Sequence, residues 1–220
     1  MSFHPASSSI LRISRTVCRH RQIPRNQRNF SAQFVLQAEA EQSASSTAAS
    51  FLSRFQSRGP ITHTQLLDGN QLRLLSLTLN RPTLCPGSSP LSQSSNSSSV
   101  SSPQSGTPLP PGYHLVYFTP AYLEDELGAD GSDSSYNPDA PFTRRMWAGG
   151  EVSWPRGADG KPNLLRVGQE VRETTKVLSA EPKVVKRTGE DMIVVGVEKE
   201  FANEDGVAIV DRRYASGCSL

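Results

Sequence analysis

The first half of the chain contains two segments with the apolar spacing of amphipathic helices. In the first segment, Phe51, Leu52 and Phe55 recur at helical spacing, and Thr47 is a candidate cap in front of them. We predict a short helix here, within a helical or disordered lead-in that covers residues 31–59.

The second segment is rich in leucine and runs from about Asp68 to Asn80. Its apolar side chains fall on one broad helical face: Leu72, Leu74, Leu75, Leu77 and Leu79. Asp68 and Asn70 are candidate N-caps, and the helix should end at Arg81-Pro82, because a proline disfavours helical geometry in the residue before it. This pattern predicts a helix that faces the core of a domain.

From residue 109 to residue 214 the pattern changes to a period of two, which is typical of β-strands. The predicted strands cover residues 113–118, 147–154, 167–177, 192–201 and 207–214. Turn signals separate the last three strands, and Gly206 suits the positive φ that a hairpin loop requires. We expect these three strands to form an antiparallel meander.

A leucine-rich helix followed by about five antiparallel strands predicts an α+β fold, with the helix packed across the concave face of the sheet. Such a sheet leaves one face uncovered. A second copy of the chain, or another chain, is therefore expected to cover it.

The segment over residues 88–106 breaks both periodicities. Eleven of its nineteen residues are serine, and most of the others are Pro, Gly, Gln and Asn. Such a composition cannot bury enough apolar surface to offset the entropy of ordering the chain. We predict a disordered insertion that acts as a spacer, with phosphorylation as the alternative role.

The first thirty residues contain six arginines and no acidic residue, together with many serines and a short apolar stripe. This composition is typical of a mitochondrial presequence, and it predicts residues 1–30 as a transit peptide to the matrix. Arg28-Asn29-Phe30-Ser31 resembles a matrix cleavage site, which makes Ser31 the expected mature N-terminus. The alternative is a basic tail that binds nucleic acid.

Removing this segment changes the charge of the protein. The full chain carries a formal charge of +2, whereas the remainder has 17 basic and 21 acidic residues, a net charge of −4. A mildly acidic protein without a basic patch is a poor nucleic-acid binder, so we exclude that class for the mature form. No apolar run approaches 18 residues, so we expect no membrane span.

The usual catalytic and metal-binding motifs are absent from the sequence. There is no P-loop, Gly-x-Ser-x-Gly elbow or Gly-x-Gly-x-x-Gly, and we predict no cofactor. The three cysteines are too far apart for a zinc site, and the acidic loop over residues 124–139 lacks a calcium-site spacing, so we predict no metal. His63 is interpreted as a surface residue, and His114 as a structural residue or, less favourably, a base.

The densest group of candidate binding residues is the run Arg144–Gly150. Adjacent Arg144 and Arg145 suit a phosphate such as that of coenzyme A, and Trp147 suits the wall of an acyl tunnel. Gly149 and Gly150 permit a close approach to the backbone. The alternative interpretation, which the residues alone favour, is an exposed arginine pair and a glycine bulge.

Two blocks of sequence resemble a known family. Leu109–Phe118 and Arg144–Gly150 together are similar to the N-terminal half of mitochondrial type 2 hydroxyacyl-thioester dehydratases, which are close to the mesaconyl-CoA hydratases and have MaoC-like double hotdog folds. The resemblance covers roughly residues 60–215, with the serine-rich tract as an insertion. It implies a single hotdog domain over these residues, in which a long helix is wrapped by an antiparallel sheet.

The resemblance also implies a function. The substrate would be an acyl thioester of acyl carrier protein or coenzyme A, from which water is reversibly removed at a 3-hydroxyacyl group in fatty-acid synthesis. The substrate-binding candidates are His114, Arg144, Arg145, Trp147, Gly149 and Gly150, and the expected partner is a second hotdog domain in the same or another chain.

The sequence departs from the family in one respect that affects function. The Asp-x-Asn-x-x-His motif that carries the catalytic pair in the family is absent, so we predict no catalytic residue and no turnover by this chain alone. Residues 216–220 are interpreted as an atypical, truncated tail. Three hypotheses remain: the N-terminal half of a dehydratase, a non-catalytic hotdog that binds acyl thioesters, and a fragment without function.

Overall fold

A computed structural model describes residues 43–91, 102–128 and 131–218. The helices and strands follow one another as α1 (Ala44–Arg58), β1 (Ile61–Leu66), α2 (Gly69–Thr78), β2 (Arg144–Ser153), β3 (Glu170–Val184), β4 (Asp191–Asn203) and β5 (Gly206–Cys218). Two short 3₁₀ turns, Tyr113–Val116 and Glu124–Glu126, lie between α2 and β2. The predicted presequence, its cleavage site at Ser31 and the centre of the serine-rich tract lie outside the described residues.

The five strands form one antiparallel sheet in the order β1-β3-β4-β5-β2. The meander β3-β4-β5 is as predicted, and Gly206, at a φ of 112°, begins β5 after the expected hairpin loop. The sheet therefore confirms the predicted α+β layout. Strand β1 was not anticipated, because the alternation in Ile61–Leu66 is too polar to separate it from a loop.

Both helices pack on the same face of the sheet, which we call the inner face. In β4 the inner face carries alternate residues, Ile193, Val195, Val197, Lys199 and Phe201. Helix α1 contributes Phe51 and Phe55 to a cluster with the first three of these residues. Helix α2 contributes Leu72 to a second cluster with Phe201. The two clusters cover opposite ends of the inner face.

The N-cap of α2 is the predicted residue, whereas the N-cap of α1 is not. The Asp68 carboxylate accepts a hydrogen bond of 2.9 Å from the Gln71 backbone N–H and caps α2, as predicted. In α1 the cap is Ser43, whose hydroxyl accepts from the Ser46 backbone N–H. Thr47, the predicted cap, is buried inside the helix, so that prediction was wrong.

The segment 113–118, predicted as a strand, is instead a 3₁₀ turn. Gly112 has a φ of 84°, which reverses the chain after two prolines, and the Tyr113 N–H donates to the Pro110 carbonyl at 3.1 Å. Tyr113, His114 and Tyr117 are buried, which is the spacing of a turn rather than of a strand. The strand prediction failed because a run of apolar and aromatic residues this short does not distinguish the two conformations.

Two further regions differ from the prediction. The ends of the serine-rich tract are ordered: Leu91 is buried in the second cluster, and the Gly106 N–H donates to the Val167 carbonyl. Strand β5 continues through Cys218, which pairs with Arg144 of β2, so residues 216–218 are not an irregular tail. The Gly149 region is as predicted, since a β-bulge lies between Trp147 and Gly149.

Candidate functional site

A cavity of about 720 Å³ lies on the inner face, lined by residues of both apolar clusters and by polar residues of the sheet. Its floor is formed by inward side chains of β1, β3, β4 and β5, and His63, which the sequence analysis placed on the surface, is one of them. Its walls come from the segment after the first 3₁₀ turn, from Tyr136 and from β2. The aromatic lining residues are Tyr117, Phe118, Tyr122, Tyr136, Trp147 and Phe201. A concave apolar space with a few polar groups is the usual form of a small-molecule site.

Two ion pairs lie at the cavity floor, and we call their residues the charged floor: Glu173, Lys199 and Arg213, which line the cavity, and Asp211, which pairs with Arg213 behind the lining. Lys199 donates to the Glu173 carboxylate, and the Thr175 hydroxyl donates to the same oxygen at 3.1 Å. Arg213 donates to Asp211 through Nε and Nη2, at 2.9 and 2.5 Å. Lys199 lies opposite Asp211 in the register of β4 and β5, so the two pairs are adjacent.

His114 is buried beside the charged floor. It is 1% exposed, and its ring packs edge-on against Phe201 with the centroids 4.7 Å apart. Burial lowers the pKa of His114 to about 4, with Asp211 raising it, Arg213 lowering it and Glu173 raising it by smaller amounts. Neither ring nitrogen has a hydrogen-bond partner among the described residues. The imidazole is therefore neutral at neutral pH.

Tyrosines fix the walls of the cavity. The Tyr117 hydroxyl donates to the Asp68 carbonyl at 2.6 Å, and burial raises its pKa to about 12. Tyr136 stacks near Phe55 of α1, with ring centroids 5.7 Å apart, and burial raises its pKa as well. Tyr122 and Ser135 share a hydrogen bond of 2.5 Å between their hydroxyls. The phenols of Tyr117 and Tyr136 therefore stay protonated at neutral pH and act as neutral groups.

The run Arg144–Gly150 is divided by strand geometry. Arg145 and Trp147 face inward and line the cavity, whereas Arg144 is exposed on the opposite face of β2. Gly150 lies under Trp147, because a Cβ there would be 2.9 Å from the indole ring and 2.8 Å from the Arg212 carbonyl oxygen. Gly149, at a φ of 134°, directly follows the β-bulge, in which Ala148 has no partner in the register of β2 and β5. Their role in binding substrate stays a prediction.

The charged floor was missed by sequence reasoning. Glu173, Lys199, Asp211 and Arg213 were not among the candidate site residues. One signal was present: Lys199 is in phase with Val195, Val197 and Phe201, the apolar residues predicted to share one face. A charge on a buried face requires a partner, which would have indicated an ionic cluster.

Metal binding has no support in the part of the chain that the structure describes, where no three His, Cys, Asp or Glu residues come together as a metal site. The acidic residues Glu124, Asp125 and Glu126 are exposed around the second 3₁₀ turn. None of the described helices is long and apolar enough to cross a membrane.

Comparisons with known proteins show which proteins this chain is similar to. Residues 112–216 match the family model of hydroxyacyl-thioester dehydratase type 2. A curated relative, the mesaconyl-C(4)-CoA hydratase of Chloroflexus aurantiacus, is 33% identical over 72 residues, which are 32% of this chain and 23% of the hydratase. The chain thus matches less than a quarter of that protein's length.

Solved structures give the class of fold. A chain of the ChsH1–ChsH2 complex from Mycobacterium tuberculosis aligns with a TM-score of 0.52 and 11% identity, over 81% of this chain and 98% of that chain. A MaoC-like dehydratase from Rhodospirillum rubrum aligns over 74% of this chain and 92% of its own, at 13% identity and a TM-score of 0.35. The fold is a hotdog, as predicted, with one antiparallel sheet and helices packed against its inner face.

The segment that matches the family model contains most of the site described above. Residues 112–216 include the bulged strand with Trp147, most of the cavity lining and the whole charged floor. The resemblance to MaoC-like dehydratases of the type 2 hydroxyacyl-thioester kind, inferred from the sequence, is confirmed.

Proposed function

We propose that this chain is the N-terminal hotdog half of a mitochondrial 3-hydroxyacyl-thioester dehydratase. In this proposal it holds the acyl chain, and a second hotdog supplies the catalytic acid and base. The observation that carries the proposal is the cavity of about 720 Å³ on the inner face, within a segment that matches the dehydratase family. Its volume suits an acyl group with part of its carrier.

The thioester is oriented by strand β2 in this proposal. Trp147 is 68% exposed at the rim of the cavity, and Arg145 lies beside it on the same face. Arg145 has the charge and geometry to bind a phosphate of coenzyme A or of the phosphopantetheine arm of an acyl carrier protein. The acyl chain then extends from this rim toward the buried floor.

Catalysis is assigned to the second hotdog because this chain offers no suitable pair. Dehydration moves the proton from C2 to a base while an acid protonates the departing C3 hydroxyl, which leaves a C2=C3 double bond and water. His114 is buried, and neither of its ring nitrogens has an acidic hydrogen-bond partner among the described residues. His63 lines the cavity from the edge strand β1, opposite Glu173, but the Glu173 carboxylate is paired with Lys199. The sequence contains no Asp-x-Asn-x-x-His.

The partner is expected to join at an edge of the sheet. Strand β2 is an edge strand of ten residues, and Met146, Trp147 and Val152 are exposed along it. Long exposed edges with apolar side chains favour pairing with another sheet. A second copy of this chain as the partner would give self-association in sedimentation of the purified chain, and a monomer at all concentrations would exclude that copy and leave a different hotdog as the partner.

Delivery to the mitochondrial matrix belongs to the proposal because the first thirty residues carry six arginines and no acid. A fluorescent fusion of the full chain should localise to mitochondria, and a fusion that lacks residues 1–30 should not. Equal mitochondrial localisation of both fusions would contradict this assignment.

Binding of an acyl thioester tests the proposal. Titration of the full chain with hexanoyl-CoA should give saturable binding by calorimetry, because the cavity accepts the acyl group. Ala215, which lines the cavity, becomes bulky in Ala215→Phe, and this variant should bind about tenfold more weakly or worse. Ala148→Phe is the matched control, since Ala148 is exposed on β2 and is not among the lining residues. Equal affinity of Ala215→Phe and the unaltered chain would contradict the proposal.

A non-catalytic module that binds acyl thioesters is the second candidate, favoured by the missing catalytic motif. The two candidates differ in whether a second hotdog with the catalytic Asp and His accompanies this chain. The size of the native protein in a mitochondrial extract and the 3′ sequence of its transcript separate them. A larger product that carries the motif supports the dehydratase, and a product of this chain's size supports the module.

A further inference from the structure

The charged floor is unusual for the inner end of a site that holds an alkyl chain. Glu173 is 3% exposed, and Asp211 and Lys199 are largely buried as well. Aromatic residues such as Tyr117, Phe118 and Trp147 line other parts of the cavity, together with the polar residues His63, Gln65 and Asp133. A plain alkyl chain laid against the charged floor would remove the remaining contact of these charges with water and offer no hydrogen bond in return.

We propose that the charged floor recognises a hydrogen-bonding group carried on the distal part of the acyl chain, so that the cavity selects chains with a neutral polar end over plain alkyl chains. The inference rests on the proposed function, because it takes the cavity as the acyl site. A hydroxyl or amide near the floor donates to Glu173 and accepts from Lys199 or Arg213. Glu173, Lys199 and Arg213 then make hydrogen bonds to the ligand in place of those that they make to water in the empty cavity.

The orientation of the ligand follows from exposure. Trp147 and Arg145 are exposed at the rim on β2, whereas Glu173 and Lys199 are shielded on the central strands β3 and β4. A thioester with a bulky charged carrier must keep the carrier at the exposed rim. The far end of the acyl chain is therefore the part that reaches the charged floor.

A neutral group suits the floor better than a carboxylate. Lys199 is paired with Glu173, and Arg213 is paired with Asp211, so the two cations and two anions balance. An added carboxylate would bring a third negative charge beside two buried ones, and like charges in a shielded site repel strongly. A dipolar group adds donors and acceptors without changing this balance.

The test compares thioesters of equal length with the full chain. Calorimetry with 6-hydroxyhexanoyl-CoA and hexanoyl-CoA should give at least about tenfold tighter binding of the hydroxylated thioester, since a site built for a hydrogen bond rejects a ligand that lacks it. A carboxylate-terminated thioester of the same length should bind more weakly than the hydroxylated one. Tighter binding of the carboxylate would overturn the choice of a neutral group.

Removal of the charged pair is the decisive variant. In Glu173→Gln/Lys199→Met, the preference for the hydroxylated thioester should fall to about twofold or less. Lys176→Met/Glu200→Gln is the matched control, because this pair joins the same two strands on the opposite face, with Nζ and Oε2 3.2 Å apart. The control should keep the full preference. If the first variant fails to fold, Thr175→Val, which removes the hydroxyl that donates to Glu173, should reduce the preference in the same direction.

The outcomes separate this inference from the proposed function. Equal binding of the two thioesters, or a preference that survives removal of Glu173 and Lys199, would contradict recognition of a polar group by the charged floor. Either result would still be consistent with the cavity as an acyl site. A chain that binds no acyl thioester of any kind overturns the proposed function itself.

Discussion

At the scale of single residues, His114 makes the stability of the fold depend on pH. Its pKa is lowered from 6.5 to about 4 in the folded state, mainly by burial, while the unfolded chain keeps the ordinary value. Between these values the unfolded state binds more protons than the folded state. The contribution of His114 to the free energy of unfolding is therefore complete above pH 6.5 and is lost as the pH falls toward 4.

The expected loss from this one group is on the order of 2–3 kcal/mol. Urea unfolding at pH 7 and pH 4.5 measures it, and His114→Leu should flatten the difference between the two pH values. Thr64→Val, an exposed change on the edge strand β1, is the control and should leave the difference unchanged. A His114→Leu chain with the same pH dependence as the unaltered protein would contradict this account.

Gly150 is a position where neighbouring atoms leave no room for a side chain. In Gly150→Val the new side chain would meet the Trp147 indole and the Arg212 carbonyl oxygen, each at less than 3 Å unless something shifts. We expect a loss of about 1–3 kcal/mol in unfolding free energy and a shifted tryptophan emission. Ala148→Val, an exposed change in the same strand, should alter neither quantity. An unchanged emission spectrum in Gly150→Val would show that Trp147 does not lie over this glycine.

Single residues of the site were predictable where the local sequence carried the signal. Arg145 and Trp147 lie in a compact run of aromatic, basic and glycine residues, and they do line the cavity. Arg144 does not, because neighbouring residues of a strand point to opposite faces. The charged floor could not be predicted as a unit, since Glu173, Lys199 and Arg213 come from three strands whose register only the folded sheet defines.

At the scale of elements, the leucines of helix α2 differ in how deeply they are buried. Leu72 is 0% exposed in the cluster with Phe201, whereas Leu74 on the same helix is 50% exposed. Leu72→Ala should cost about 2–5 kcal/mol of unfolding free energy, and Leu74→Ala should stay within about 0.5 kcal/mol. Thermal and urea unfolding of the two variants measure this. Similar losses in both would mean that α2 does not pack as described.

Helices and the meander were predictable for different reasons. The leucines of α2 repeat at helical spacing behind a capping aspartate, and the strands β3 to β5 alternate cleanly between turn residues. Segment 113–118 was misassigned because proline and glycine before it bend the chain into a turn that its aromatic composition does not reveal. Helix α1 was predicted as a helix, but its contact with the inner face depends on Phe51 meeting Ile193 and Val195, which are far away in sequence.

At the scale of the whole molecule, the two helices divide the inner face and leave the cavity between them. The cluster under α1 and the cluster under α2 close opposite ends, and the charged floor lies on the sheet at the cavity's inner wall. In the proposed function this cavity holds the acyl chain, and a second hotdog supplies the catalytic acid and base. This division of roles is the central claim of the proposed function.

The most direct test measures acyl-thioester binding and turnover in the same sample. Crotonyl-CoA is added to the purified full chain, and proton NMR follows saturation transfer from the protein to the crotonyl group together with any hydration product. If this chain binds the thioester and lacks the catalytic pair, we expect saturation transfer to the crotonyl protons and no 3-hydroxybutyryl resonance over hours. Formation of 3-hydroxybutyryl-CoA would show that this chain carries its own acid and base, and the absence of any saturation transfer would show that the cavity does not hold an acyl thioester.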